Sequence, residues 1–264
     1  MRILRYVFWS VVLGAAFVVA WFAFFQLLAE GVRWFLLITH FPEDSVRFYA
    51  DSIRQGAEIT LKLTVISSIA GLILGLMAGV SKLSRNPIFR HPATFYVWLI
   101  RGTPLLVQLL FVLQGVPQIL SLMKIDVVLT PYWAAFIGLS VNVGAYNAEV
   151  IRAGILAIPK GQWEAAQSLG LSSAQVMRYV VIPQALRIVI PPLVNNVVAL
   201  LKDSSLAYVL GLPELVTRGE RIIATTWRPV PIYAVVAAIY LLLTTVLTFF
   251  TNWLERRFQG LGAR

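Results

Sequence analysis

Residues 159–183 read PKGQWEAAQSLGLSSAQVMRYVVIP, and the arrangement of the whole chain follows from what this stretch is. It lies between apolar segments long enough to cross a bilayer, yet only about half of it is apolar. Pro159 ends the helix before it, because proline has no N–H to donate and its ring clashes with the preceding turn. Residues 163–169 are predicted to form a short helix, with Gly170 in the left-handed conformation that closes one. Ser172, followed three positions later by Gln175, has the spacing of a capping box that opens the next helix. The result is a short helix held between two membrane helices. Glu164 near its start suits the helix dipole, and Ala165 and Ala166 let a partner backbone approach closely. An amphipathic helix lying at the membrane surface is the competing reading.

Composition narrows the class. The chain of 264 residues is 59% apolar and only 13% charged, where a soluble domain has about half and about a quarter. It reads as a polytopic membrane protein of the all-α class. There is no cysteine, so no disulfide framework and no thiolate site. The two histidines, His40 and His91, have no metal-binding spacing. No metal, cofactor or catalytic residue is expected. A net charge of +10 would suggest nucleic acid in a soluble protein; in a membrane protein it raises the question of sidedness, and no nucleic-acid partner is expected.

Six spans are predicted. Residues 6–29 carry no charge and would make roughly 36 Å of helix, enough for a hydrocarbon core of about 30 Å. The run is too long and bulky for a signal peptide, so it reads as a retained span. Residues 30–56 are mixed and read as one or two helices on the outer surface. The second span covers 57–81, with Gly71 and Gly75 spaced for close helix packing. The third covers 93–117 and is interrupted by Arg101-Gly102-Thr103-Pro104. The fourth covers 131–156. The fifth covers 188–212 and starts with Pro191-Pro192, where a break in the helix is expected, and the sixth covers 232–254. Residues 213–231 read as an outer segment.

Charge then orients the chain. On the side holding both termini and the 159–183 stretch, eleven basic residues, from Arg2 to Arg264, face only Glu164 and Glu255. On the other side seven basic residues meet seven acidic ones. The basic excess marks the first side as cytoplasmic. No G-x-x-x-x-G-K-[ST] occurs, so this chain carries no nucleotide-binding loop of that kind.

Seven charges remain within the spans: Glu58, Lys62, Arg101, Glu149, Arg152, Lys202 and Asp203. Such charges are costly in lipid and tend to face partners or a cavity. Glu58 and Lys62 read as a pair, and Arg152 as a contact to lipid phosphate or helix-end carbonyls. Arg101 and Glu149 both lie roughly 10–12 Å from the inner boundary and can meet. Two readings of them stay open: a structural pair or inner gate, or opposite charges presented to a zwitterion. Asp203 can meet an ammonium and Ser204 can add a hydrogen bond, with Asn195 near the same face. A buried network joining helices is the alternative for this second group.

Glu164-Ala165-Ala166, Gly170 and Val180-x-Ile182-Pro183 resemble the EAA loop of binding-protein-dependent ABC importer permeases. Arg101-Gly102-Thr103-Pro104-Leu105-Leu106-Val107-Gln108, Gly144-Ala145-Tyr146-x-Ala148-Glu149, Pro183-Gln184-Ala185 and Leu200-Leu201-Lys202-Asp203-Ser204-Ser205-Leu206 are similar to the polar amino acid branch of that family. The resemblance spans about residues 57–255. It implies an all-α bundle of five core spans, here with an extra N-terminal helix, and a cytoplasmic coupling helix within a loop at 157–187. It divides the chain into residues 1–56, the added helix and outer segment, and the permease domain 57–264. It implies that Arg101, Glu149, Asn195, Asp203 and Ser204 lie around the substrate passage. It implies that Trp163, Glu164, Ala165, Ala166 and Gly170 couple to the ATPase. Val194, where the family often has glycine, departs from the pattern.

What the resemblance implies about function is a non-enzymatic permease subunit in the cytoplasmic (inner) membrane. Its partners would be cytoplasmic ABC ATPase subunits, a second permease subunit, an extracytoplasmic amino-acid-binding protein, an amino acid substrate and the lipid bilayer. The alternative is an autonomous ion-coupled transporter or channel, which would transport without any ATPase and usually shows repeated halves.

Overall fold

The computed structural model describes residues 2–259, and every regular element among them is helical. Met1 and residues 260–264, including the basic Arg264, lie outside the described residues. Two compact units are formed: residues up to Thr60 with Pro213–Ile239, and Leu61–Leu212 with residues from Tyr240 onward.

In the first unit, helix α1 (Arg2–Ile38) turns through His40, whose φ of 61° is left-handed, into α2 (Glu43–Leu83). The expected surface helices at 30–56 are not separate elements. The charges there are scattered at helical spacing, so the two long helices continue through them and only residues 39–42 break the path. Arg228 closes this turn: its guanidinium donates to the carbonyls of Thr39 (3.3 Å) and His40 (2.7 Å) and lies 5.0 Å from the centre of the Phe41 ring. The expected outer segment at 213–231 contains a helix, numbered α10 below (Leu215–Thr226). It starts on the buried Glu214 carboxylate, which accepts from the N–H groups of Val216 and Thr217.

The second unit is built around α6 (Pro131–Leu156). Thr130 caps its start by accepting the N–H of Trp133, and Pro131 occupies the first helical position, where a missing N–H costs nothing. Half of its residues are buried. The glycines at 71, 75 and 79 of α2 form a stripe against it. A Cβ at Gly71 would stand 2.2 Å from Val143, one at Gly75 2.5 Å from Asn147, and one at Gly79 2.8 Å from the Ala148 carbonyl. The GxxxG spacing in the sequence is thus a helix–helix contact. Around α6 stand α3 (Pro87–Arg101), α4 (Leu105–Leu110) and α5 (Val116–Leu122), the last two joined by a π-helical turn at Phe111–Gly115. Next come α7 (Lys160–Ser168) and α8 (Ser173–Val176), then a second π segment at Met177–Val181 and α9 (Ile182–Asp203). A 3-10 turn, Ser204–Leu210, ends on Gly211 in the left-handed region. After α10 the chain finishes with α11 (Pro229–Gln259).

Among the described residues, six helical stretches are long and apolar enough to cross a membrane: Val18–Ile38, Glu43–Leu83, Leu105–Leu122, Pro131–Leu156, Ser173–Leu210 and Pro229–Thr251. Two expected features differ. The third span is interrupted where expected, α3 stopping at Arg101 and α4 starting at Leu105, but the apolar crossing length lies beyond the break, in Leu105–Leu122, rather than over 93–117. The fifth helix, by contrast, is not broken at Pro191-Pro192, which sit inside α9. Two adjacent prolines remove only two hydrogen bonds of the ladder, and the surrounding apolar helix carries through them.

Candidate functional site

The break between α3 and α4 is the first element of the site. Ending a helix in an apolar setting leaves carbonyls without donors, and here those of Trp98, Leu99 and Ile100 each find one. Gly102 N–H donates to the Trp98 carbonyl at 3.0 Å, and the Thr103 hydroxyl to Leu99 at 2.9 Å. The Gln108 amide reaches back to the Ile100 carbonyl at 2.7 Å and to the Thr103 carbonyl at 3.0 Å. Asn142 of α6 then donates to the Gln108 side-chain oxygen at 2.9 Å. Neither Gln108 nor Asn142 stands out in the sequence as a polar group that would brace a helix end.

Beside this break lies a polar cavity of about 420 Å³, whose polar lining comes from Thr103, Asn142, Tyr146, Asn196 and Asp203. Asp203 is the ionisable carboxylate of that lining, at the last turn of α9, while its neighbour Lys202 is exposed. Asn195, expected near the same face, is exposed and outside the lining; Asn196 takes that place and donates to Asn147 of α6 at 2.9 Å. The helical turn explains the exchange. Seven residues bring a side chain back to within about 20° of the starting direction, eight leave it about 80° away. Ser204 is fully buried and its hydroxyl donates to the Leu201 carbonyl at 2.7 Å, so it braces the end of α9 rather than lining the cavity.

A second cavity, of about 450 Å³, is lined by Lys82, Thr94, Trp98, Arg101, Tyr146 and Glu149 among others. Arg101 and Glu149 therefore share a chamber, as their depth predicted, but they take different partners. Glu149 accepts from Lys82 Nζ at 2.6 Å and from the Arg152 guanidinium. Arg101 instead lies over the Tyr146 ring, 5.2 Å from its centre. Arg152, expected to meet lipid phosphate or helix-end carbonyls, turns back one helical turn onto Glu149. Glu58 has the Arg54 guanidinium at 3.7 Å. The missed residue is Lys82: it ends α2, where a loop position conceals that its long side chain reaches α6.

The 159–183 stretch has its predicted local chemistry. Gly170 has a φ of +82°, and Ser172 and Gln175 form the reciprocal capping box. The α7 helix presents two faces. Ala166 is buried with Ile158, Val176, Val181 and Ala185, and Trp163 packs on the same cluster. Glu164 and Ala165 are exposed, as is Leu169, 83% exposed although apolar. Leu169 lies outside the expected set because the triplet before it held the signal.

Sequence comparison decides the family. Residues 71–260 match the family of binding-protein-dependent transport system inner membrane components. The chain belongs to that family. As a permease it is 40% identical over 205 residues to the glutamine transport system permease protein GlnP of Escherichia coli (strain K12), covering 78% of this chain and 92% of that one. It is 39% identical over 208 residues to the arginine transport system permease protein ArtQ of Bacillus subtilis (strain 168), covering 79% and 93%. In three dimensions the permease resembles a chain from the crystal structure of an amino acid ABC transporter with histidines, at a TM-score of 0.74 and 37% identity, over 81% of this chain and 97% of that one. A chain of the MetNI methionine ABC transporter, at 20% identity and a TM-score of 0.66, shares the fold over 78% of this chain and 96% of that one. This is a multi-pass permease of the ABC importer class, with six helices of membrane-crossing length.

Proposed function

We propose that this permease forms the path by which a polar amino acid crosses the cytoplasmic membrane, driven by a separate ATPase. The observation that carries the reading is the cavity around Asp203: a carboxylate, two amides and a phenol from helices of membrane-crossing length, with a hydroxyl from the α3–α4 break. Polar groups placed there at such cost mark a pathway more readily than a packing contact. Asp203 receives the substrate's ammonium; Thr103, Asn142 and Asn196 answer its remaining polar groups. Arg101 and Glu149 lie on the same route in the neighbouring chamber. The names of the similar permeases, for glutamine and for arginine, support a polar amino acid as cargo.

In this reading both termini and α7 are cytoplasmic, as the excess of basic residues on that side supports. The outward face of α7, Glu164, Ala165 and Leu169 with Gly170 behind them, meets the ATPase, while Trp163 and Ala166 anchor the helix to its own bundle. A second permease subunit completes the path and an extracytoplasmic binding protein delivers the cargo. Residues 57–264 constitute the permease domain, and residues 1–56 add a helix and an outer segment to it.

The test is ATP-dependent uptake of labelled amino acid in proteoliposomes holding the chain, its ATPase and its binding protein. Asp203→Asn removes a charge-assisted hydrogen bond of about 1.5–3 kcal/mol, so uptake at low substrate should fall by ten- to a hundredfold with assembly intact. Unchanged uptake in that variant, or transport by the chain alone without ATPase, overturns the reading.

A further inference from the structure

The two cavities share one wall. Tyr146 lines the chamber that holds Asp203 and also the chamber that holds Lys82, Arg101 and Glu149. The α3–α4 break also lines both: Gly102 the second chamber, Thr103 and Pro104 the first. The break is braced, since Gln108 ties it to itself and Asn142 ties Gln108 to α6. The other element common to both chambers is the Tyr146 ring, 41% exposed, with the Arg101 guanidinium over its face at 5.2 Å.

We infer that Tyr146 is the gating side chain between the two chambers, held shut by Arg101. The inference rests on the passage proposed above. A ring held by one exchangeable contact, beside a braced helix break, gives the shared wall one movable part. The guanidinium–ring contact is an attraction of modest strength that is strongest when water is excluded, so it holds the ring at rest and is exchangeable. A zwitterion arriving from the Asp203 chamber carries a carboxylate, and a carboxylate draws a guanidinium more strongly than a ring face does. Arg101 leaving the ring for the cargo releases Tyr146, so the substrate itself opens the partition it must cross. Glu149 does not compete for Arg101, because Lys82 and Arg152 already occupy it.

The absence of cysteine makes the test direct. Ala199→Cys places a thiol in the Asp203 chamber and Thr94→Cys places one in the Arg101 chamber. The full chain, assembled with its ATPase in inside-out membrane vesicles without nucleotide, is treated with a cationic, membrane-impermeant methanethiosulfonate. Thr94→Cys should react in every background. Ala199→Cys should react slowly beside Tyr146, at least tenfold faster beside Tyr146→Ala, and slowly again beside Tyr146→Phe, which keeps the ring. Arg101→Ala gives a second route to the same answer should Tyr146→Ala not accumulate, and should also speed the reaction. Equal rates at Ala199→Cys with and without the ring, or with and without Arg101, overturn the gate while leaving the passage in place. No reaction at Thr94→Cys from the inner face overturns the passage and the gate with it.

Discussion

Lys82 reaches from the end of α2 to Glu149, two turns before the end of α6, with 2.6 Å between Nζ and the carboxylate. Glu149 is the shared member of this group, since Arg152 binds its other oxygen. The two cations share that carboxylate, and removal of one partner of a half-buried pair costs more than the pair contributes. Glu149→Gln should therefore destabilise the detergent-solubilised protein by on the order of 3 kcal/mol. Lys82→Met leaves Glu149 with Arg152 and should cost about half as much. Thermal unfolding of both variants and the double variant checks this: the double variant should be no worse than Glu149→Gln alone.

Gly75 and Gly31 offer a matched comparison. A Cβ at Gly75 would meet Asn147 at 2.5 Å, with the Gly144 carbonyl at 3.1 Å, while one at Gly31 meets nothing within 4 Å. Gly75→Ala should push α2 from α6 and lower stability by about 1–3 kcal/mol. Gly31→Ala should be neutral or slightly stabilising, because alanine is the better helix former. Melting temperatures of the two variants that fail to differ would contradict the packing described for the α2 stripe.

Gln108 ties together the Ile100 carbonyl, Thr103 and Asn142. Gln108→Leu keeps the volume and removes the bonds. Each polar group left unanswered costs about 1–3 kcal/mol, so the variant should be destabilised by several kcal/mol, with loss of uptake. Gln108→Glu should fare no better than leucine: it keeps the acceptor that Asn142 uses but sets a carboxylate oxygen against the Ile100 and Thr103 carbonyls. Unchanged yields of folded protein from both would show that the break does not depend on this side chain.

Gly170 and Leu169 separate backbone from surface on the same loop. Gly170→Val must take a φ of +82°, which costs a β-branched residue at least about 1–2 kcal/mol, and it should move α7 and uncouple ATP hydrolysis from uptake. Leu169→Glu touches no neighbour that needs it, so melting should not change, while coupled uptake should fall at least tenfold. A Leu169→Glu variant with full uptake would remove Leu169 from the ATPase contact.

Features set by short-range backbone chemistry were legible: the left-handed Gly170, the Ser172–Gln175 box and the close-packed Gly71 and Gly75 follow from residue type at fixed spacing. The six crossing helices were legible because lipid demands long apolar runs. What the sequence left open depends on partners far along the chain. Glu149 and Arg101 lie at matching depth, yet which cation takes the carboxylate depends on Lys82, 67 positions earlier. Asn195 and Asn196 are the same residue type side by side, and only the rotation of α9 against α6 tells which one faces Asn147. Pro191-Pro192 looked like a break because proline propensity is local, whereas the apolar packing that carries α9 through them is not.

That uninterrupted α9 has a mechanical consequence. From Ile182 to Asp203 it spans 22 residues, a strut of about 33 Å with the loop of α7 and α8 attached at one end and a carboxylate at the other. Pivoting such a strut by only about 5° displaces its far end by roughly 3 Å, the span of one hydrogen bond. A nudge too slight to repack the bundle is thus sufficient to make or cancel a contact at Asp203.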